Sequence, residues 1–240
     1  MAWETPGAVS GDVGSNNGAA SQILAQESAN AFMAKVYRWM FAGLALTGVT
    51  AYVVAASPSL LEAVMPLWMP LIIAEFVMVL AFTWLASRVS TPVAAGMFLL
   101  YAFMNGLTFS VLFIVYTATS IYAVFGITAA MFGAMSVYGT VTKKDLSSWG
   151  GFLFMGLIGL IIAGLVNIFL QSPAISWVAS LVGVVVFTGL TAYDTQKLRQ
   201  IHANSGYSSA GSLAVMGALV LYLDFVNLML YLLRLFGRRR

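Results

Sequence analysis

The chain has no cysteine, one histidine and very little charge. Without cysteine there are no disulfides, no thiol catalysis and no thiolate metal site. A lone His202 cannot build a multi-histidine metal centre, and neither an HExxH nor a G-x-S-x-G motif occurs. No enzyme and no resident cofactor are therefore expected. Charged residues make up 8% of the 240 positions, where a soluble domain carries roughly 25%. That scarcity excludes a soluble domain. The net charge of +3 sits on loops and ends, where it bears on membrane topology, and no nucleic-acid partner is expected.

What the chain has instead is hydrocarbon. Hydrophobic residues make up 61% of it, and the mean hydropathy is +0.93. A helix needs about 20 apolar residues to cross a bilayer. Seven stretches meet or approach this, at about 33–56, 67–86, 93–116, 119–141, 151–171, 175–196 and 211–235. Turn residues separate them: Ser57-Pro58, Ser90-Thr91-Pro92, Lys143-Lys144-Asp145 through Gly150-Gly151, Ser172-Pro173 and Asn204-Ser205-Gly206. No span alternates strictly, so the expected class is all-α, a polytopic membrane protein with seven transmembrane helices. Residues 1–31 are polar and rich in Gly, Ser, Asn and Ala. They read as a disordered tail with a short amphipathic lead-in around Ile23 to Phe32, ahead of a membrane domain over 32–237 and a basic tail over 238–240. Small residues such as Gly156, Gly159, Ala163 and Gly164 suggest close helix packing in span five. Trp39, Trp68, Trp84, Trp149 and Trp177 fall near span ends, as in an aromatic belt.

The basic residues orient the chain. Lys35, Arg38, Arg88, Lys143, Lys144, Lys197 and Arg199 share one side, which the positive-inside rule makes cytoplasmic, together with the N-terminus. Arg234, Arg238, Arg239 and Arg240 break the pattern. Seven full spans place them on the far side, whereas six spans and a re-entrant last segment would place all the basic residues inside.

Acids within spans are costly and are usually kept for a function. Asp194 lies in GLTAYDTQK near the end of span six, and Asp224 lies in the middle of ALVLYLDFVNLMLYLL. Facing one cavity, two carboxylates in low dielectric resist joint ionisation and share a proton, which makes a pH sensor. Fully ionised, they form a hard oxygen site that suits Ca²⁺, with water, backbone carbonyls and Asn227 as further ligands. The alternative is that each acid is satisfied separately, Asp194 by Lys197 three residues on. Glu75 in span two is either a third cavity acid or a packing residue. Asn227, Asn105 and Asn167 could equally make helix contacts. A retinal protein is excluded because no lysine lies inside the last span. An intramembrane aspartyl protease fits poorly: Tyr193-Asp194 matches half of its signature, but YLDF has no glycine ahead of the acid.

GLTAYDTQKLRQI, KKDLSSWGGFLFMGLIGLIIAGLVNIF and LYLDFVNLMLYLLRLFG resemble the Bax inhibitor-1 family, the transmembrane Bax-inhibitor-motif proteins, over about residues 30–237. The resemblance implies a seven-helix bundle with the last helix near its centre. It also implies a pH-sensitive Ca²⁺ leak controlled by aspartates on the sixth and seventh helices, here Asp194 and Asp224. In that family an arginine at the cytoplasmic end of the second helix bonds to the pair. A gapless match from Glu75 puts Ala86 at that position, with Arg88 two residues later as the candidate gating partner. Either Arg88 reaches back or the lock is missing. The polar N-terminus points to a prokaryotic member in a bacterial inner membrane. The other function class is a membrane interaction protein that modulates a protease or a stress or cell-death regulator, touching protein partners through residues 1–31 or Arg238–Arg240.

Overall fold

The computed structural model describes residues 13–85, 88–204 and 210–240. The described residues form α1 (Val13–Ala56), α2 (Pro58–Val64), a 3₁₀ turn (Met65–Leu67), α3 (Trp68–Leu85), α4 (Thr91–Phe109), α5 (Leu112–Val115), α6 (Ala118–Val141), α7 (Ser147–Leu170), α8 (Pro173–Asn204) and α9 (Ala210–Phe236). Among the described residues, seven segments are long and apolar enough to cross a membrane. The second of these, Pro58–Leu85, is entered through α2 and the 3₁₀ turn, because Pro66 and Pro70 interrupt the hydrogen bonding of a single helix. Residues 57–66, which look like a loop in sequence, are thus mostly helical.

The N-terminal expectation needs correcting in the same way. Residues 1–12 lie outside the described residues, but α1 starts at Val13, well inside the stretch that composition marks as disordered. Ala, Gln, Leu and Glu dominate residues 19–31 and are good helix formers. The chain there extends an existing span, so no new helix nucleus is needed. Ala29, Phe32 and Met33 anchor it in the core.

α9 is the axis. It packs against α8, α1, α6 and α4, while α3 packs mainly on α4 and α7 mainly on α8. Val215, Leu221, Tyr222 and Leu228 are fully buried and lie on different sides of the helix. A helix that is apolar all round belongs inside a bundle. By contrast, α3 and α7 present Ile73, Phe76, Phe152 and Phe169 outward, as a lipid-facing ring would. Trp68, Trp84, Trp149 and Trp177 are exposed near helix ends, at belt positions.

Small residues set some of the helix approaches, but not all of those the pattern suggests. A Cβ on Gly139 of α6 would collide with the Ala192 carbonyl of α8, so only glycine lets the two backbones come together there. Gly156 meets Val186 closely, whereas Gly159 and Gly164 have open space. Gly159 and Ala163 line a groove between α7 and α8 instead of a tight contact. Spacing alone does not tell which of several small residues faces the neighbour.

The helix ends are tied by side chains. Gln196 of α8 accepts from the Leu146 backbone N–H (2.8 Å) and donates to the Lys144 carbonyl (2.9 Å), which fixes the α6–α7 turn. Arg199 donates to the Thr140 carbonyl (2.7 Å). Within that turn, Asp145 accepts from the backbone N–H of Ser147 at the start of α7 (2.9 Å). Hydrogen bonds from the Ser147 side chain and backbone hold its carboxyl below the usual carboxylate range. At the opposite end the basic segment after α9 is not a free tail. Thr117 N–H donates to the Arg238 carbonyl and Arg240 N–H to the Val115 carbonyl, both at 3.0 Å.

Candidate functional site

Asp194 and Asp224 come together. Asp194 lies on α8 about two turns before Ile201, and Asp224 lies halfway along the last span. α8 and α9 pack along their length, and the two carboxyl groups lie within reach of each other. Asp224 is 4% exposed, and its Oδ2 is buried without a hydrogen-bond partner. Asp194 is the more open of the two, toward the end of the bundle that carries Lys143, Lys144 and Arg199. Lys197 is the cation whose field reaches Asp194, while its ammonium lies over the Tyr193 ring, 5.4 Å from the centroid. Thr191 and Thr195 flank Asp194, fully buried, and each hydroxyl donates to its own helix one turn back. Thr195 also reaches Ser136 of α6 (3.4 Å). The acids thus sit where α6, α8 and α9 meet.

The other residues expected at this site lie elsewhere or are otherwise engaged. Arg88 is exposed and stacks on Trp84, its guanidinium carbon 4.3 Å from the ring centroid. An indole face one turn away on the same chain is a nearer partner for a guanidinium than an acid buried behind other helices. Ala86, at the position of the family's arginine, lies outside the described residues. Asn227 donates from its amide nitrogen to the Leu223 carbonyl of its own helix (2.8 Å), a bond to the backbone and not to either acid. Among the described residues, no group of three or more His, Cys, Asp or Glu side chains is placed to hold a metal ion. The side chain of His202 is not among those described. Asn167 ties the α7–α8 turn, accepting from Ser172 N–H and donating to Ser176.

Glu75 is not a third member of the pair. It accepts from Thr108 of α4 (2.5 Å) on a different side of α9. Tyr101 and Tyr222 are its titratable neighbours. Tyr222 bonds Thr47 of α1 (2.7 Å), and Thr47 donates its one hydroxyl proton to the Ala102 carbonyl (2.8 Å), so the tyrosine is the donor. Asn105 belongs to the same region. It contacts Tyr101 one turn back, and its Nδ2 is buried without a partner. Tyr222 and Asp224 are two residues apart, about 200° around a helix. The central helix therefore carries two separate polar devices at one depth: a hydroxyl and amide network toward α1 and α4, and the acid pair toward α8. Sequence reasoning passes over Tyr222 and Gln196. Tyrosine in a span reads as apolar, and the glutamine shows its role only once its turn is in place.

A polytopic α-helical membrane protein with a pair of neighbouring acids at its central helix is the class defined by this fold and site. The chain belongs to the Bax inhibitor-1 family: the family model described as inhibitor of apoptosis-promoting Bax1 matches residues 29–240. It is similar to the inner membrane protein YbhL of Escherichia coli, 46% identical over 215 residues that cover 87% of this chain and 92% of that one. An uncharacterised protein of Deinococcus radiodurans is 45% identical over 210 residues, covering 87% and 90%. One from Borreliella burgdorferi is 41% identical over 216 residues, covering 88% and 93%. These relatives are bacterial, and one is named as an inner membrane protein.

Proposed function

We propose that this protein is a proton-regulated Ca²⁺ leak pathway of a bacterial inner membrane, with its N-terminus in the cytoplasm and Asp194 and Asp224 as the sensor. The observation that supports this most is the closeness of the two carboxyl groups inside the bundle. Two acids so placed hold one proton between them in the closed arrangement. Losing that proton leaves like charges close together in a low-dielectric interior, a strong push on α8 away from α9. The same loss exposes hard oxygen ligands, including the otherwise unpartnered Oδ2 of Asp224, to a divalent cation. Ca²⁺ is then cargo and needs only transient ligands, with water and backbone carbonyls completing its shell. The protein has no catalytic role in this scheme. Arg88, stacked on Trp84, supplies no lock, so the strength of gating comes from the pair and the Lys197 field.

The experiment is Ca²⁺ flux into proteoliposomes holding the full-length protein, measured at several pH values set equal on both sides. Flux above that of empty liposomes with a dependence on pH near neutrality is expected. No flux at any pH overturns the proposal.

A further inference from the structure

Arg234 and Arg239 stand at the end of the bundle remote from Lys143 and Lys144, where the charge bias leaves them unexplained. The structure gives them a common place. They line a cavity of about 470 Å³ where the last turn of α9, the turn before α6 and the α7–α8 turn converge. Tyr116, Gln171 and Ser176 contribute polar wall, and among the described residues no carboxylate lines the cavity. Two guanidiniums in a recess without an acid make a strongly positive site. α8, 32 residues long, begins at the same point, and the positive end of its dipole adds to the field.

The site is held in shape. The backbone bonds of Arg238 and Arg240 to the turn before α6 bracket Arg239 and fix it against Tyr116. Arg234 is steadied over the Tyr231 ring, 5.5 Å from the centroid. On the opposite wall, Asn167 accepts from Ser172 N–H (2.9 Å) and donates to Ser176 Oγ (2.7 Å), which leaves the serine's own proton for a ligand. Gln171 has φ 49°, the left-handed region that favours glycine, yet this position keeps a side chain, and that side chain lines the cavity.

Trp177 shares the wall and is 60% exposed, at the level where belt tryptophans meet the lipid headgroups. A phosphodiester at that level matches an arginine fork in charge and shape. A zwitterionic headgroup would bring an ammonium with no acid to receive it. We propose that Arg234 and Arg239 bind the phosphate of an anionic phospholipid headgroup at this end of the bundle, with Ser176 and Gln171 as further hydrogen-bonding groups and Trp177 beside the lipid's glycerol. This site is separate from the aspartate pair and stands whether or not the protein passes Ca²⁺.

The test is native mass spectrometry of the full-length protein released from detergent in the presence of equal amounts of phosphatidylglycerol and phosphatidylethanolamine. One retained phosphatidylglycerol is expected in preference to phosphatidylethanolamine. R234Q/R239Q should lower its retention about tenfold, the worth of one or two charge-assisted contacts. R234K/R239K should recover part of it, and K143Q/K144Q at the other end should change nothing. If the double glutamine variant does not stay monodisperse, R239Q alone carries the test, because the backbone bonds around it do not need its side chain. Equal retention of the two lipids, or undiminished retention by the glutamine variants, overturns the proposal. Displacement of the lipid by millimolar inorganic phosphate reassigns the site to a soluble anion and overturns it as well.

Discussion

Replacing Asp194 or Asp224 with asparagine removes one half of the pair proposed as the sensor. Coupled groups have pKa values that belong to the pair, so neither variant should keep the pH dependence of the parent. D194N and D224N should each flatten the pH response of flux near neutrality to a similar extent, and the double variant should add little, because interacting sites are not additive. An unaltered profile in both single variants, or full additivity in the double, would show that the acids act separately. The pair is legible in sequence because an acid amid hydrocarbon stands out whatever the fold around it. Its immediate partners are not. Arg88 is two residues from the position the family resemblance marks, but its guanidinium lies over the Trp84 ring. Asn227 is on the right side of the right helix, and its amide turns back to Leu223. Both outcomes depend on side-chain torsions that residue spacing does not contain.

At the scale of the element, the two polar devices on α9 should be separable. Y222F removes the hydroxyl that donates to Thr47 and keeps the ring, which packs edge-on against Phe98 and Tyr101 with centroids at 5.7 and 5.9 Å. Thr47 then loses a donor inside the core, which costs about 1–2 kcal/mol. The unfolding midpoint in detergent should fall while the pH profile of flux stays that of the parent. A changed profile would mean that the tyrosine network and the acids communicate through α9. A second test concerns the contact of α6 with α8. G139A sets a methyl against the Ala192 carbonyl, which cannot move without displacing the helix that carries Asp194. Overpacking of that kind costs about 1–3 kcal/mol. G133A, on the same helix with open space around it, should leave the midpoint unchanged or raise it slightly. Equal midpoints for the two variants would remove the close approach as a feature of the fold. The seven spans themselves are legible because the bilayer imposes a length and a composition on each. The helical start of α1 is not, since a polar helix that continues a span has no apolar periodicity to announce it. Nor is the entry of the second span through α2, where Pro58 reads as a turn and serves as a first-turn helix residue.

For the whole molecule, seven crossings put the two chain ends on opposite faces of the membrane. α9 runs unbroken from Ala210 to Phe236, about 40 Å at 1.5 Å per residue, and the segment after it is bonded to the turn before α6. A re-entrant last segment would need a break in α9 and would return its end toward Lys143 and Lys144. The structure has neither. The lysine-bearing end carries seven of the eleven basic residues and should face the cytoplasm. α9 carries the remaining four arginines to the opposite end of the bundle, where the fold ties Arg238 and Arg240 down, so these four should face outward. Because the chain has no cysteine, single cysteines report topology without background. S59C, in the first turn of α2 just after α1, should react with a membrane-impermeant maleimide on intact spheroplasts. K144C, in the turn between α6 and α7, should react only after lysis. R240C should follow S59C. If R240C needs lysis while S59C does not, the last helix does not cross, and both the seven-span topology and the outward placement of Arg234 and Arg239 fall with it. If all three react as expected, the lysine-bearing end of the bundle, toward which Asp194 is the more open of the two acids, faces the cytoplasm. The proton that regulates them is then drawn from the cytoplasmic side, and internal pH, more than external pH, should set the rate of flux.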